Sequence, residues 1–304
     1  MEHLKSYAKI NLVLEVLSKR NDNYHNISSI FTLVNIYDDI YINFKKHSKW
    51  EIVLDVDNQE LKKDNILFKL VNELNNYKQI GKFLVEIKLV KKIPVGGGLG
   101  GGSANAASFL FFLFVKNIIN FEIAKNLSLK LGSDIFPIFV LYLFKFLYKK
   151  DILVLNFGKQ DILIPLNIHF INPYYILFIF PAIKVLTKEA FLLLNKKVLT
   201  SNEIFSNFIG IKTKNFILNL IKSNVLNYDF FYNEFEDVVL NNYPQLNHLK
   251  EQVEKILKEI GINEYKFLLS GSGSTFMFFI PKKYNPNEIK DLLFKKNINF
   301  KIEF

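Results

Sequence analysis

The chain of 304 residues contains no cysteine. That removes disulfides, thiolate metal sites and cysteine nucleophiles together. Its five histidines form no HExxH pattern or other close pair, so a zinc enzyme is not expected. Arginine is nearly absent as well: Arg20 is the only one, and lysine supplies the other bases behind a formal net charge of +10. Base-reading surfaces rely on arginine forks and clustered charge, whereas these lysines are scattered from Lys5 to Lys301, so nucleic acid is not the expected partner. The same positive bias still favours the approach of a polyphosphate. Long uninterrupted apolar runs are missing too. Residues 135–148 carry Pro137 and Lys145 and are too few to cross a bilayer, and 170–183 are broken by Asn172, Pro173 and Pro181. The N-terminal residues lack an apolar signal core. These absences leave a cytoplasmic globular protein with no membrane partner as the expectation.

What is present suggests an α+β fold. Residues 7–17 alternate, which places Ala8, Ile10, Leu12 and Leu14 on one strand face and Lys9, Asn11, Val13 and Glu15 on the other. Two further strand-like runs follow at 27–34 and 38–44. Residues 64–75 have helical spacing with Asp64 or Asn65 as the cap, 83–91 read as a strand, and 104–115 as a helix. Gly132 is placed to end a helix in a left-handed conformation, with Ser133 capping the next element. Residues 151–180 look strand-rich. Helices and strands then alternate to a terminal strand at 299–304. Two lobes are expected, 1–157 and 158–304.

Glycine is scarce, thirteen residues in all, yet six fall in the run Pro94-Val95-Gly96-Gly97-Gly98-Leu99-Gly100-Gly101-Gly102-Ser103. Glycine permits positive φ and close approach, so successive N–H groups can converge on an anion. The helix that follows adds its N-terminal partial charge. The run is therefore read as a phosphate cradle. A dinucleotide fingerprint fits it only formally, since the acid about twenty residues on, Glu122, lies in a helical stretch. A Walker A loop would need a lysine where Gly102 precedes Ser103.

The run, with Ala104-Asn105-Ala106-Ala107 after it, closely resembles the ATP-binding loop of GHMP kinases. Three other segments match that family in order: Tyr7-Ala8-Lys9-Ile10-Asn11-Leu12 with Asn23-Tyr24-His25, then Gly132-Ser133-Asp134, then Leu269-Ser270-Gly271-Ser272-Gly273-Ser274. The resemblance implies an N-terminal ATP-binding lobe and a C-terminal ferredoxin-like lobe with the active site between. It implies transfer of the γ-phosphoryl group of ATP to a small-molecule hydroxyl. Lys9 and Asp134 would be catalytic, a carboxylate accepting the hydroxyl proton and an ammonium stabilising developing charge. Pro94, residues 96–103 (Gly96, Gly97, Gly98, Leu99, Gly100, Gly101, Gly102 and Ser103), Asn65 and Lys91 would contact the nucleotide, and Ser103 would touch Mg²⁺. Asn11, Gly271, Ser272 and Thr187 would line the substrate side. Tyr24, His25 and Phe191 match the group with which one branch of the family holds a cytosine, implying a cytidine diphosphate-linked methylerythritol as acceptor. The alternatives are another GHMP kinase, of mevalonate or homoserine type, or a nucleotide-binding descendant without catalysis. The oligomeric state is left as monomer or homodimer. Two departures from the family pattern stand out: Phe136 intervenes before Pro137, and no glycine-rich strand follows Asp134.

Overall fold

The computed structural model describes every residue except Asn23, Asp151, Lys159, Asn167, His169, 197–208 and Phe304, with only the backbone given for Gln59 and Glu60. Asn23 of the Asn-Tyr-His motif and the last residue of the expected terminal strand thus lie outside the described residues. The first sheet is built on a long antiparallel hairpin, β1 (Glu2–Lys19) and β2 (His25–Lys46), paired from Lys19↔His25 to Glu2↔Ile42. The two runs expected at 27–34 and 38–44 are one strand. Strand β3 (Glu51–Val56) pairs parallel with β4 (Phe83–Val90), and β4 pairs with residues 39–46 of β2. The other end of β2, residues 27–31, pairs instead with β5 (Leu153–Gly158), which forms a hairpin with β6 (Ile162–Leu166). That hairpin spans the 157/158 division.

The strict alternation expected of β1 does not hold. Register shifts fall between Tyr7 and Lys9, Asn11 and Val13, and Val16 and Ser18. Each bulge inserts a residue and re-aims those that follow. As a result Val13 packs in the same apolar cluster as Ala8, Ile10 and Leu12, while Leu14 turns to another.

Helices α1 (Gln59–Lys63), α2 (Ile66–Leu74), α3 (Gly101–Val115), α4 (Phe121–Leu131) and α5 (Ile135–Tyr148) occur in the first lobe, and α2 to α5 bury a common core against its sheet. Asn65 caps α2 as expected, its side chain accepting from Leu67 N at 3.1 Å. Apolar residues surround α3 on nearly every side, as a central helix requires. Two local expectations fail at 132–134. Gly132 has φ 173°, which is extended backbone and not left-handed. The residue at the start of α5 is Asp134, not Ser133, and its side chain makes no capping hydrogen bond. Pro137 falls in the first turn of α5, where a missing N–H costs nothing, so the extra Phe136 is absorbed as a helical residue.

The second sheet has the antiparallel order β11-β7-β10-β9, from β7 (Tyr174–Ile179), β9 (Lys266–Leu269), β10 (Phe276–Pro281) and β11 (Phe300–Glu303). Both faces of β7 are buried. Tyr175, Leu177 and Ile179 face a core shared with α8 (Phe235–Asn242), α9 (Pro244–Glu259) and α10 (Pro286–Lys295), and Tyr174, Ile176 and Phe178 face a core shared with β1. A strand covered on both sides reads as a continuous apolar run, which is why 170–183 looks span-like in sequence. Among the described residues no helix is long and apolar enough to cross a membrane. Two more helices, α6 (Thr187–Leu194) and α7 (Ile211–Ser223), connect the second sheet to β8 (Tyr232–Asn233), which pairs parallel with β1. Glu15 holds α7 in place: its carboxylate accepts from Lys212 N at 3.0 Å, Thr213 N at 2.8 Å and Thr213 Oγ1 at 2.7 Å.

Candidate active site

The glycine run leaves β4 and enters α3, and a single buried carboxylate fixes both of its ends. Asp38 Oδ1 accepts from Lys92 N at 2.7 Å and Ile93 N at 2.8 Å, just before the run. Its Oδ2 accepts from Asn105 Nδ2 at 2.9 Å, in the first turns of α3, and pairs with Lys91. A fully buried carboxylate is tolerable only with such a set of donors. Nothing in the local sequence marks Asp38, whose partners lie more than fifty residues away.

Leu99 anchors the middle of the run. Its side chain is buried in the core between the sheets, and its carbonyl accepts from Lys9 N at 3.1 Å. Around it the chain takes conformations that suit glycine, with φ +79° at Gly98 and +68° at Gly100. Close approach matters as much as φ. A Cβ at Gly98 would lie 1.9 Å from Ser270 O. Gly97 O accepts from Thr275 N at 3.2 Å and Gly98 O from Ser270 Oγ at 3.2 Å, so the run and the turn after β9 meet backbone to backbone. That turn is held from below by Asn233, which donates to Leu269 O and Gly271 O, each at 2.7 Å, and accepts from Phe235 N at 2.9 Å. Asn233 is a second functional-site residue without a local sequence signal. The run ends at Gly100, which starts α3 without any side-chain cap or acidic residue in the first turn. The N–H groups of that turn are therefore directed to the cavity or to solvent.

Lys9, Asn11 and Asp134 meet beside this loop. Lys9 Nζ lies 3.5 Å from Asp134 Oδ2 and donates to Asn11 Oδ1 at 2.9 Å. Asn11 in turn donates to Ser29 Oγ at 2.7 Å. The Lys9 ammonium also sits 4.9 Å from the centre of the Phe31 ring. Lys9 is 4 % exposed, so it is a nearly buried cation compensated by these groups and not a surface lysine. Freed from capping, the Asp134 carboxylate faces Lys9 across Gly100, where a Cβ would lie 3.1 Å from Lys9 Cε and 3.6 Å from Asp134 Oδ2.

These groups border one cavity of about 1260 Å³. Of the residues singled out from sequence, it is lined by Lys9, Asn11, Tyr24, His25, Pro94, Ser103, Asp134, Thr187, Phe191, Gly271, Ser272 and the six glycines of the loop. Leu99 is absent from this lining because its side chain is buried in the core. Asn65 and Lys91 line a smaller adjoining cavity of about 260 Å³, which shares Pro94, Gly96, Gly101 and Gly102 with the first. At the far end of the large cavity His25 stacks on Phe191, with ring centres 4.5 Å apart and planes at 19°. Phe191 packs edge-on against Phe235, and Tyr24 stands exposed at the rim. Burial, and then the nearby Lys19 charge, lower the His25 pKa, favouring a neutral imidazole. Thr187 Oγ1 and Ser272 Oγ are 3.1 Å apart. Among the described residues no cluster of three or more His, Asp or Glu side chains is arranged to hold a metal. The Ser103 hydroxyl at the edge of the cavity is the kind of hard oxygen donor that suits a Mg²⁺ bound mainly by phosphate and water.

A glycine-rich loop entering a buried helix, faced by a lysine–aspartate pair and closed by a second sheet, matches the arrangement expected of the GHMP kinase class, and sequence relatives place the chain in that class. The GHMP kinases N terminal domain model matches residues 65–139. The 4-diphosphocytidyl-2-C-methyl-D-erythritol kinase of Petrotoga mobilis is 34% identical over 282 residues, covering 90% of this chain and 96% of that protein. The enzyme of the same name from Francisella philomiragia is 31% identical, covering 89% and 88%. The chain belongs to the 4-diphosphocytidyl-2-C-methyl-D-erythritol kinase family. Solved structures agree on the fold. A 4-(cytidine 5'-diphospho)-2C-methyl-D-erythritol kinase superposes with a TM-score of 0.69 at 22% identity, covering 99% of this chain and 98% of that one. Homoserine kinase from Cytophaga hutchinsonii gives 0.57 at 14% identity, covering 99% and 92%.

Proposed function

We propose that the chain transfers the γ-phosphoryl group of ATP to a hydroxyl of 4-diphosphocytidyl-2-C-methyl-D-erythritol, a step in non-mevalonate isoprenoid precursor synthesis. The observation that carries this reading is the 3.5 Å approach of Lys9 and Asp134 beside the glycine nest. Asp134 orients the acceptor hydroxyl and takes its proton as the new O–P bond forms and the bond to the β-phosphate oxygen breaks. Lys9, held in place by Asn11, neutralises charge on the incoming oxygen and the phosphoryl group. Backbone N–H groups of 96–103 hold the phosphates, and Asn65 and Lys91 border the small cavity that takes the nucleoside end. Ser103 would hold Mg²⁺, which when bound supplies further neutralisation of phosphate charge. The nucleotide loop belongs to the lobe 1–157, and the lobe 158–304 closes over it through the 270–275 turn.

The combined cavities exceed what one small ligand needs, as a two-substrate reaction requires. Tyr24 and Phe191 sandwich the cytosine, and His25, which covers Phe191 here, turns edge-on to read its polar edge. The protein acts in the cytoplasm, as monomer or homodimer. A coupled assay of ADP release tests the function. Stoichiometric release that depends on the cytidine diphosphate-linked alcohol is expected, and no release above the acceptor-free background refutes it.

A further inference from the structure

We infer that Lys19 and Lys188 form the subsite for the diphosphate that joins the cytosine of the acceptor to its reacting alcohol. The inference rests on the function proposed above. Helix α6 runs between the two ends of the large cavity. Its first residue, Thr187, touches Ser272 at 3.1 Å, next to Gly271, where a Cβ would lie 3.5 Å from Lys9 Nζ. This is the reacting end. One turn later Phe191 stacks on His25 at 4.5 Å, which is the base end. Lys188 lies three residues before Phe191, hence on the same side of the helix and between the two ends. A group linking base to acceptor must pass it.

Lys19 lines the same cavity from the β1–β2 hairpin. It pairs across the β1–β2 hairpin with His25, and after burial its charge is the cause that lowers the His25 pKa. Both lysines line the cavity, where Asp134, already facing Lys9, is the only acidic lining residue among the described residues. The remaining lysines that line the two cavities are paired within the protein: Lys69 with Asp64, Lys91 with Asp38 and Lys196 with Glu234. Lys19 and Lys188 have no ion-pair partner among the described residues. Two cations lining one cavity, without ion-pair partners among the described residues, leave a field that favours a bridging dianion.

The test uses the full-length protein and its Lys19→Gln, Lys188→Gln and double variants, with cytidine diphosphate and cytidine as competitive inhibitors against the acceptor. Wild type is expected to bind the diphosphate more tightly than the nucleoside. Each substitution should shrink that advantage by about tenfold, the worth of one charge-assisted contact. The cytidine inhibition constant and the KM for ATP should stay within twofold, which also verifies folding. The preference for the diphosphate should fall with added salt in wild type and lose most of that dependence in the double variant. Active variants that keep the wild-type preference overturn the subsite and leave the function standing. A wild type that turns over no cytidine diphosphate-linked alcohol overturns the function, and the subsite with it.

Discussion

Replacing Gly98 by alanine isolates the contact that joins the glycine loop to the second sheet. At φ +79° an L residue is strained by about 1–2 kcal/mol. The larger effect is steric. The new methyl would lie 1.9 Å from Ser270 O and 3.0 Å from Gly273 O, both backbone atoms, so no side chain can turn away to relieve it. Loop and turn must separate, which breaks the Ser270 Oγ to Gly98 O and Thr275 N to Gly97 O hydrogen bonds, together about 2 kcal/mol. A total loss of roughly 3–4 kcal/mol and a rise of at least tenfold in KM for ATP are expected. Gly102→Ala is the matched control. It lies in α3, where the added methyl meets nothing within 4 Å beyond its chain neighbours and its own helix backbone, and helical glycine to alanine should stabilise by roughly 0.5–1 kcal/mol. Thermal melts of both variants in parallel, with ATP titrations of Gly98→Ala against wild type, decide the matter. Equal melting temperatures for Gly98→Ala and wild type would refute the reasoning.

Three further outcomes follow from other contacts. Glu236, which accepts from Leu269 N at 3.2 Å, has its pKa pushed up to about 7 by burial. The folded state therefore binds the proton more tightly than the unfolded chain, so stability is full below about 4.5 and falls as pH rises towards 7. Glu236→Gln should remove that fall and stabilise the protein at pH 8 by on the order of 2 kcal/mol, with no gain at pH 4.5, as read by denaturant titration. Glu15→Ala leaves three donors at the start of α7 unsatisfied and should cost about 2–4 kcal/mol in the same titration. Phe191→Ala removes one wall of the base site and should raise KM for the acceptor about tenfold or more while KM for ATP is unchanged; equal increases in both would contradict its assignment.

Much of the site was legible because its chemistry is written in short contiguous segments. The glycine run stands out by composition, Lys9, Asn11 and Asp134 are picked out through the segments that resemble the family, and the fold brings all of them to one cavity. What escaped the sequence depends on distance along the chain. Asp38 and Asn233 hold the loop and the turn through partners dozens of residues away, and neither sits in a recognisable pattern. The β1 bulges were hidden because strand periodicity assumes an unbroken ladder, while this strand serves three apolar clusters in turn. At 132–134 local preferences pointed to a left-handed glycine and a serine cap. The chain instead runs extended at Gly132 and turns Asp134 towards Lys9, so the tertiary ion pair prevails over capping.

The pairing of Lys9 with Asp134 at the phosphate loop is tested most directly by single-turnover rapid quench of Asp134→Asn, with enzyme and ATP in excess over the acceptor. Asparagine preserves shape but accepts no proton, so phosphoryl transfer should slow by about a hundredfold or more while ATP affinity stays within twofold of wild type. A wild-type transfer rate in that variant would contradict the account.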